Sequence, residues 1–127
     1  MRKQFELPED DVEYLDSLGL EWETVIISGE HWLYINKFLI PVGYNCKGAT
    51  LAIRIGAYPQ GKLDMAYFNP PLSRSDGKGI NALTPLNIDG VMYQQWSRHY
   101  GWRDGIDSLV THLARISFWL TNELIKR

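Results

Sequence analysis

Ser97 and His99 are the two residues of this sequence whose types and spacing best suit nucleophilic chemistry. A serine hydroxyl is a weak nucleophile until a base within hydrogen-bond reach takes its proton, and histidine is the commonest such base. In an extended backbone, residues two apart project to the same side, whereas on a helical turn they diverge. The pattern therefore predicts acyl transfer through Ser97 with His99 as the base. The alternative is that Ser97 caps a turn and His99 packs among aromatic neighbours.

Cys46 is the only cysteine of the sequence and provides the fallback nucleophile. A thiolate is a better nucleophile than a hydroxyl at neutral pH. However, Cys46 lies far along the chain from Ser97, so a small, partly buried structural thiol is the favoured interpretation. A single cysteine cannot form an intramolecular disulfide, which favours a cytoplasmic location.

No metal or cofactor is expected, because no Cys or His spacing resembles a zinc site. His31 and His112 are far apart in the sequence. We expect His112 on the solvated side of a C-terminal helix, since Thr111 and Arg115 are its polar neighbours.

The composition describes an ordinary globular chain, which we expect to form one domain over residues 1–127. Apolar residues make up 45% and the formal net charge is −2, so no basic field for nucleic acid is present. No apolar run approaches the roughly 18 residues that a membrane helix needs. Acidic residues follow Met1-Arg2-Lys3, where a signal peptide would need an apolar stretch. We expect no nucleic-acid partner and no membrane partner.

The elements that must position these side chains are an N-terminal helix, a sheet and a C-terminal helix. The first helix is predicted to begin at Pro8 and to end at Gly19, since proline suits a first turn and glycine a left-handed cap. Four strands follow with short connections, which favour an antiparallel meander; they are predicted at 21–27, 31–35, 49–55 and 63–68.

The second half of the chain is predicted as a long irregular segment over 72–88, a compact aromatic segment over 89–102 and a final helix. Asp104 is the predicted cap of that helix. Its apolar stripe consists of Ile106, Leu109, Val110, Leu113, Ile116, Trp119, Leu120 and Leu124. The predicted fold class is α+β.

This order of elements resembles the ubiquitin-conjugating-enzyme (UBC) fold. Tyr58-Pro59 follows the third predicted strand, Pro70-Pro71 follows the fourth, and Asp89-Gly90 and Trp102 match further landmarks of that fold. More specifically, the chain resembles the prokaryotic ubiquitin-conjugating-enzyme-like family E. The motifs that carry this resemblance are Leu7-Pro8-Glu9-Asp10-Asp11, Leu20-Glu21-Trp22-Glu23, Gly43-Tyr44-Asn45, Trp96-Ser97-Arg98-His99 and Trp102-Arg103.

The resemblance implies a component of a bacterial ubiquitin-like conjugation pathway. Such a component accepts a ubiquitin-like protein from an activating enzyme and passes it to a target protein, often beside a peptidase; the resemblance also suggests antiphage defence. It places the activating enzyme at the N-terminal helix and at the loop of Tyr58 and Pro59. Asp10 and Asp11, with Glu9 and Glu13, give that helix an acidic face that would steer a basic partner surface.

The departures from the family pattern bear on the mechanism. The usual nucleophile is expected three residues past Gly90, where Tyr93 stands, and residues 72–101 contain no cysteine. The nearest match to the usual His-Pro-Asn is Thr84-Pro85-Leu86-Asn87, which lacks the histidine. Residue type therefore excludes a thioester at Tyr93. Four alternatives remain. Two are enzymes, with an oxyester on Ser97 or a thioester on Cys46. The other two are an inactive variant that only positions partners and an unrelated α+β domain that binds a small ligand.

Overall fold

The computed structural model describes residues 1–125, which fold into two helices and one sheet. In chain order the elements are α1 (Glu9–Ser17), β1 (Trp22–Ile27), β2 (Glu30–Leu39), β3 (Gly48–Arg54), β4 (Ala66–Asn69), β5 (Leu83–Ile88), β6 (Val91–Trp96) and α2 (Leu109–Ile125). The strands form an antiparallel sheet in the order β1-β2-β3-β4-β6-β5. The α+β class is confirmed.

Helix α1 follows the boundaries predicted from the sequence. It begins directly after Pro8, whose carbonyl accepts the backbone N–H groups of Asp11 and Val12. It ends before Gly19, which has a φ of +71°. That φ lies in the left-handed region that glycine adopts without a steric penalty.

The sheet has six strands within the described residues, whereas the sequence predicts four. The first four pair in chain order, and β5 and β6 add a hairpin beyond β4. The prediction of an irregular segment over 72–88 is therefore wrong for Leu83–Ile88. Pro85 argues against a strand because it cannot donate to a ladder, but β5 is an edge strand and pairs only with β6 among the described strands.

Two apolar cores lie on the two faces of the sheet. The larger one packs both helices against the sheet, with Leu15, Trp96 and Ile116 among its fully buried members. The smaller one consists of strand residues alone: Val25, Trp32, Tyr34, Ala52, Tyr67, Ile88 and Tyr93. The rings of Tyr34 and Tyr93 stack with centroids 6.0 Å apart, although β3 and β4 separate their strands. Neighbouring strands lie about 4.8 Å apart, so this contact requires a strongly curled sheet.

Helix α2 begins at Leu109, so the predicted cap at Asp104 is wrong. The preceding residues form a turn in which the carboxylate of Asp107 accepts the backbone N–H of Arg103 at 2.8 Å. Ile106 lies before the helix and is 64% exposed. From Leu109 onward the stripe faces the core as predicted, with Leu109, Leu113, Ile116, Trp119 and Leu120 buried. Neither described helix combines the length and the apolarity that crossing a membrane requires.

Candidate functional site

The segment of residues 97–100 follows β6, and two of its side chains contact α2. Arg98 and Tyr100 turn toward α2: an Arg98 guanidinium nitrogen lies 3.3 Å from a Glu123 carboxylate oxygen, and the Tyr100 hydroxyl contacts His112. The partners of the Ser97 and His99 side chains are instead Gln95 and Asp64, which lie outside α2. We call residues 97–100 the site segment.

No hydrogen bond joins Ser97 and His99 within the described chain. The Ser97 hydroxyl oxygen accepts the side-chain amide of Gln95 at 3.3 Å. The side chain of His99 is 62% exposed. Ser97 and His99 therefore have different side-chain partners in this structure, Gln95 for the hydroxyl and Asp64 for the imidazole.

Asp64 is the partner of His99, and sequence reasoning missed it. Its carboxylate oxygen Oδ2 lies 3.3 Å from Nδ1 of the imidazole. The two residues meet because β4 and β6 pair with Ala66 opposite Trp96, and the chains continue side by side beyond these ends. Only the strand register could have revealed this contact, and the sequence does not contain it as a motif.

His112 lies on the buried face of α2 and is fully buried. Its Nε2 lies 2.9 Å from the Met65 carbonyl oxygen, and its Nδ1 lies 2.9 Å from the Tyr100 hydroxyl. Because a carbonyl can only accept, Nε2 carries the proton and Nδ1 accepts from Tyr100. Burial lowers the pKa of His112 to about 4, although the hydrogen bond to Met65 and the charge of Asp64 oppose this shift.

The prediction of a solvated His112 is wrong. Thr111 and Arg115 are polar neighbours in the sequence, but His112 shares a helix face with Ile116 and Trp119. Its hydrogen-bond partners come from segments that are distant in the sequence, so no local pattern indicates that the imidazole can be buried.

Glu123 is the second buried polar residue of α2, at 3% exposure. Besides the contact of its carboxylate with Arg98, its backbone carbonyl accepts a 2.6 Å hydrogen bond from the guanidinium of Arg74. Arg74 also pairs with Asp76 at 2.6 Å. A cation at the carboxyl end of a helix satisfies carbonyl groups that have no partner within the helix. Arg74 thus holds the connection between β4 and β5 against the end of α2.

Two side-chain amides hold the same connection further upstream. Gln94 accepts the backbone N–H of Leu72 and donates to its carbonyl, at 3.0 and 2.9 Å. Asn45 accepts the N–H of Ser73 at 2.9 Å and donates to the Pro71 carbonyl at 3.1 Å. These side chains form the hydrogen bonds to the backbone that a neighbouring strand would otherwise form. The start of the connection between β4 and β5 is therefore held in place.

Asp11 and Tyr58 connect α1 to α2. The Tyr58 hydroxyl donates to the Asp11 carboxylate at 2.5 Å and accepts the N–H of Leu109 at 2.9 Å. Asp11 is only 2% exposed, and burial raises its pKa while the hydrogen bond from Tyr58 opposes that shift. Burial also raises the pKa of Tyr58. Asp11 therefore does not contribute to an exposed acidic face, whereas Asp10 and Pro59 are exposed.

An open groove runs beside α1, with a volume of about 590 Å³. Its floor is apolar and its rim mostly acidic; the lining residues are Lys3, Phe5, Glu6, Leu7, Glu9, Val12, Asp16 and Trp22. Within residues 1–125 no group of three or more His, Cys, Asp or Glu side chains is placed to hold a metal ion.

A model of prokaryotic E2 family E matches residues 7–123 of the chain. The chain belongs to this family. The match begins just before α1 and reaches the last turns of α2, so it includes the site segment and confirms the family suggested by the sequence motifs. E2 proteins are conjugating components, so membership links the protein to ubiquitin-like conjugation. No curated protein and no solved structure matches the chain.

In this member of E2 family E, the residue at the expected nucleophile position is not presented to solvent. Tyr93 is 6% exposed and its ring stacks on Tyr34 in the smaller core. Burial raises its pKa, which disfavours the nucleophilic phenolate. Asn87, the asparagine nearest to the usual motif, accepts the N–H of Gly90 at 2.9 Å and so closes the β5–β6 turn.

Cys46 lies in the connection between β2 and β3 of this E2 family E protein. Its thiol is partly buried and packs against the larger core. This environment matches the structural interpretation of the thiol, and the fallback role of Cys46 as a nucleophile stays a prediction.

Proposed function

We propose that the protein is a ubiquitin-conjugating-enzyme-like component of a bacterial ubiquitin-like conjugation pathway. It works as one UBC-like domain over residues 1–127, in the cytoplasm, and accepts the C-terminal acyl group of a ubiquitin-like protein from an activating enzyme. It passes that group to a target protein. The match to prokaryotic E2 family E is the observation that carries the proposal. A peptidase is a further proposed partner, and antiphage defence is the proposed setting.

The acyl group is held on Ser97 as an oxyester. The Ser97 oxygen forms a bond to the acyl carbon while the bond to the activating enzyme's leaving group breaks. The hydroxyl proton moves to His99 and from there to the leaving group. Asp64 lies against Nδ1 of His99, which leaves Nε2 as the ring nitrogen that takes the proton.

Ser97 and His99 approach each other when the substrate is bound. Catalytic hydrogen bonds are often long or absent without substrate and tighten in the complex. The side chain of His99 is 62% exposed, so rotation about its bonds meets little obstruction. The acyl carbonyl would occupy the space between the two side chains.

The test is to incubate the protein with the activating enzyme and ubiquitin-like protein of its own genomic neighbourhood and ATP. An adduct should form that resists mild thiol reductant and is cleaved by alkali, as expected of an oxyester. Mass spectrometry should map it to Ser97, and Ser97→Ala should abolish it. Cys46→Ser is the matched control and should leave it intact. Attachment at Cys46, or loss of the adduct in reductant, would contradict the oxyester and support the thiol.

A second candidate function is a docking module without catalysis. It is favoured by the geometry of the free site, where Ser97 binds Gln95 rather than His99, and by the burial of Tyr93. In this role the protein binds the activating enzyme and the ubiquitin-like protein and holds them together. Tight binding of the ubiquitin-like protein without any covalent adduct would support this function over the first.

The proposed docking site for the activating enzyme is the exposed side of α1 with the neighbouring groove. Glu9, Asp10 and Glu13 are exposed there, and the groove adds Glu6 and Asp16 around an apolar floor. A basic partner surface with apolar side chains complements this arrangement. Pro59 extends the surface, while Tyr58 and Asp11 support it from inside.

A further inference from the structure

We propose that His112 and Glu123 are positioning residues, which hold the site segment so that Ser97 and His99 face the substrate. The inference rests on the proposed function insofar as Ser97 and His99 carry the acyl transfer. Neither His112 nor Glu123 touches the reacting groups. They act through Tyr100 and Arg98, the two residues of the site segment that turn toward α2.

His112 bridges the two chain segments that carry the Asp64–His99 contact. Its Nε2 donates to the carbonyl of Met65, the residue after Asp64. Its Nδ1 accepts from Tyr100, the residue after His99. The buried imidazole of His112 therefore holds Met65 and Tyr100, the chain neighbours of Asp64 and His99.

Glu123 fixes the other end of the site segment through Arg98. The guanidinium of Arg98 lies 3.3 Å from the Glu123 carboxylate and 4.9 Å from the centre of the Trp96 ring. The backbone of Arg98 is held as well, because its carbonyl accepts the N–H of Met65 at 3.2 Å. Arg98 cannot rotate away from α2 without breaking these contacts. They therefore restrict the orientation of the adjacent residue, Ser97.

The placement of both residues on α2 supports a role beyond packing. His112 and Glu123 are separated by about three helical turns and share the buried face with apolar side chains. Burying polar groups on such a face carries a desolvation cost, and apolar residues of similar volume would stabilise a core equally well or better. Tyr100 and Arg98 are the partners that bind these side chains from the site segment, so the polar groups select its orientation.

The test compares four variants of the full chain, of which Glu123→Gln is used in the rate measurement. His112→Phe keeps an aromatic ring and loses both hydrogen bonds, whereas His112→Gln retains a donor for Met65 and an acceptor for Tyr100. Leu113→Ala is the matched control, since it removes core contacts on the same helix without a hydrogen bond to the site segment. Circular dichroism establishes that each variant is folded, and Tyr100→Phe replaces His112→Phe if the latter is not.

The first measurement is amide hydrogen exchange, which needs no activity. The N–H groups of Ser97 and Met65 bind the carbonyls of Ala82 and Arg98 at 3.0 and 3.2 Å. In His112→Phe their exchange should be roughly tenfold faster relative to β3 amides, the factor that corresponds to one lost hydrogen bond. His112→Gln should restore most of the protection. Leu113→Ala should not accelerate these two amides selectively.

The second measurement is the rate of adduct formation. His112→Phe and Glu123→Gln should lower the maximal rate by about 10- to 100-fold, as expected of a misplaced reacting group, with little change in the concentration that gives half the maximal rate. Unchanged exchange at Ser97 and Met65 and an unchanged maximal rate in folded variants would overturn the inference. If the natural sequence forms no adduct, the proposed function fails, and the exchange measurement alone decides the positioning role.

Discussion

The Tyr58 hydroxyl and the Asp11 carboxylate form a partly buried hydrogen bond of 2.5 Å, which connects the loop after β3 to α1. The same hydroxyl accepts the N–H of Leu109, the first residue of α2. One phenol oxygen thus serves a buried carboxylate and one of the amide groups that α2 cannot satisfy within its own first turn. The two helices that pack in the larger core are joined through this group.

We therefore expect Tyr58→Phe to lower the free energy of unfolding by about 1–3 kcal/mol, because it leaves two buried polar groups without this partner. Urea denaturation measures the change. Tyr14→Phe, on α1 itself, is the control; it removes a hydroxyl for which the described contacts show no hydrogen bond, and it should change stability by less than about 0.5 kcal/mol. Equal effects of the two substitutions would mean that the Tyr58 link is energetically unimportant.

The acidic side of α1 is expected to steer the activating enzyme. Reversal of Asp10 and Glu13 to lysine should slow association by about tenfold at low salt and leave the melting temperature nearly unchanged, because both side chains are exposed. Stopped-flow association at two salt concentrations measures the effect. Asp11→Lys should instead destabilise the fold, since that position is 2% exposed. Association that does not respond to the charge reversal would exclude this docking surface.

The burial of His112 makes stability depend on pH in a defined direction. The pKa of His112 is about 4 in the folded protein and near 6.5 in the unfolded chain. Between these values the unfolded chain binds a proton that the folded protein does not. The contribution of His112 to the free energy of unfolding is therefore complete above pH 6.5. It decreases by about 3 kcal/mol in total as the pH falls toward 4.

Urea denaturation between pH 4 and 7.5, compared with His112→Gln, isolates this contribution from that of the carboxylates. Asp11 acts in the opposite direction, because its raised pKa means that the folded protein holds its proton more readily than the unfolded chain. Parallel pH profiles for the two proteins would contradict a buried neutral imidazole.

Local patterns predicted some elements well and failed where distant contacts decide the structure. Pro8 and Gly19 bound α1 because their backbone preferences are local. The predicted irregular segment over 72–88 contains β5, a strand that tolerates Pro85 because it lies at the edge of the sheet. Asp104 looks like a cap, but Tyr58 supplies a partner for the N–H at the start of α2.

The candidate site was predicted in part for the same reason. Ser97 and His99 are visible as a local pattern of reactive side chains. Asp64 and His112 reach the site only through the β4–β6 register and the packing of α2, neither of which a spacing rule encodes. Asp11 looks like a surface charge on an amphipathic helix until Tyr58 is placed beside it.

The apolar stripe predicted from the sequence contains a buried residue of α2, Leu113, and an exposed residue that lies before the helix, Ile106. Leu113 is 3% exposed and Ile106 is 64% exposed. Leu113→Ala should lower the free energy of unfolding by about 2–5 kcal/mol, because it removes buried methyl groups and leaves a cavity. Ile106→Ala should cost less than about 0.5 kcal/mol. A loss below about 1 kcal/mol at Leu113 would mean that this face of α2 is not packed as described.

The Asp64–His99 contact leads to the sharpest chemical prediction. A carboxylate against Nδ1 favours the form of the imidazole in which Nε2 can accept the proton of Ser97, and it stabilises the positive charge that then develops. Asp64→Asn keeps the shape and removes the charge. It should slow adduct formation by about tenfold, a modest factor because the pair is partly exposed to solvent and screened.

The matched control for this substitution is Glu30→Gln. Glu30 is the first residue of β2, and its exposed carboxylate lies 4.0 Å from Arg54. The control substitution should leave the rate unchanged. Single-turnover kinetics of the Ser97-dependent adduct measure both variants, and a His99→Ala protein sets the rate without the base. If Asp64→Asn also slows the His99→Ala protein tenfold, the carboxylate does not act through the imidazole. If the two substitutions together are no worse than His99→Ala alone, Asp64 serves His99 as proposed.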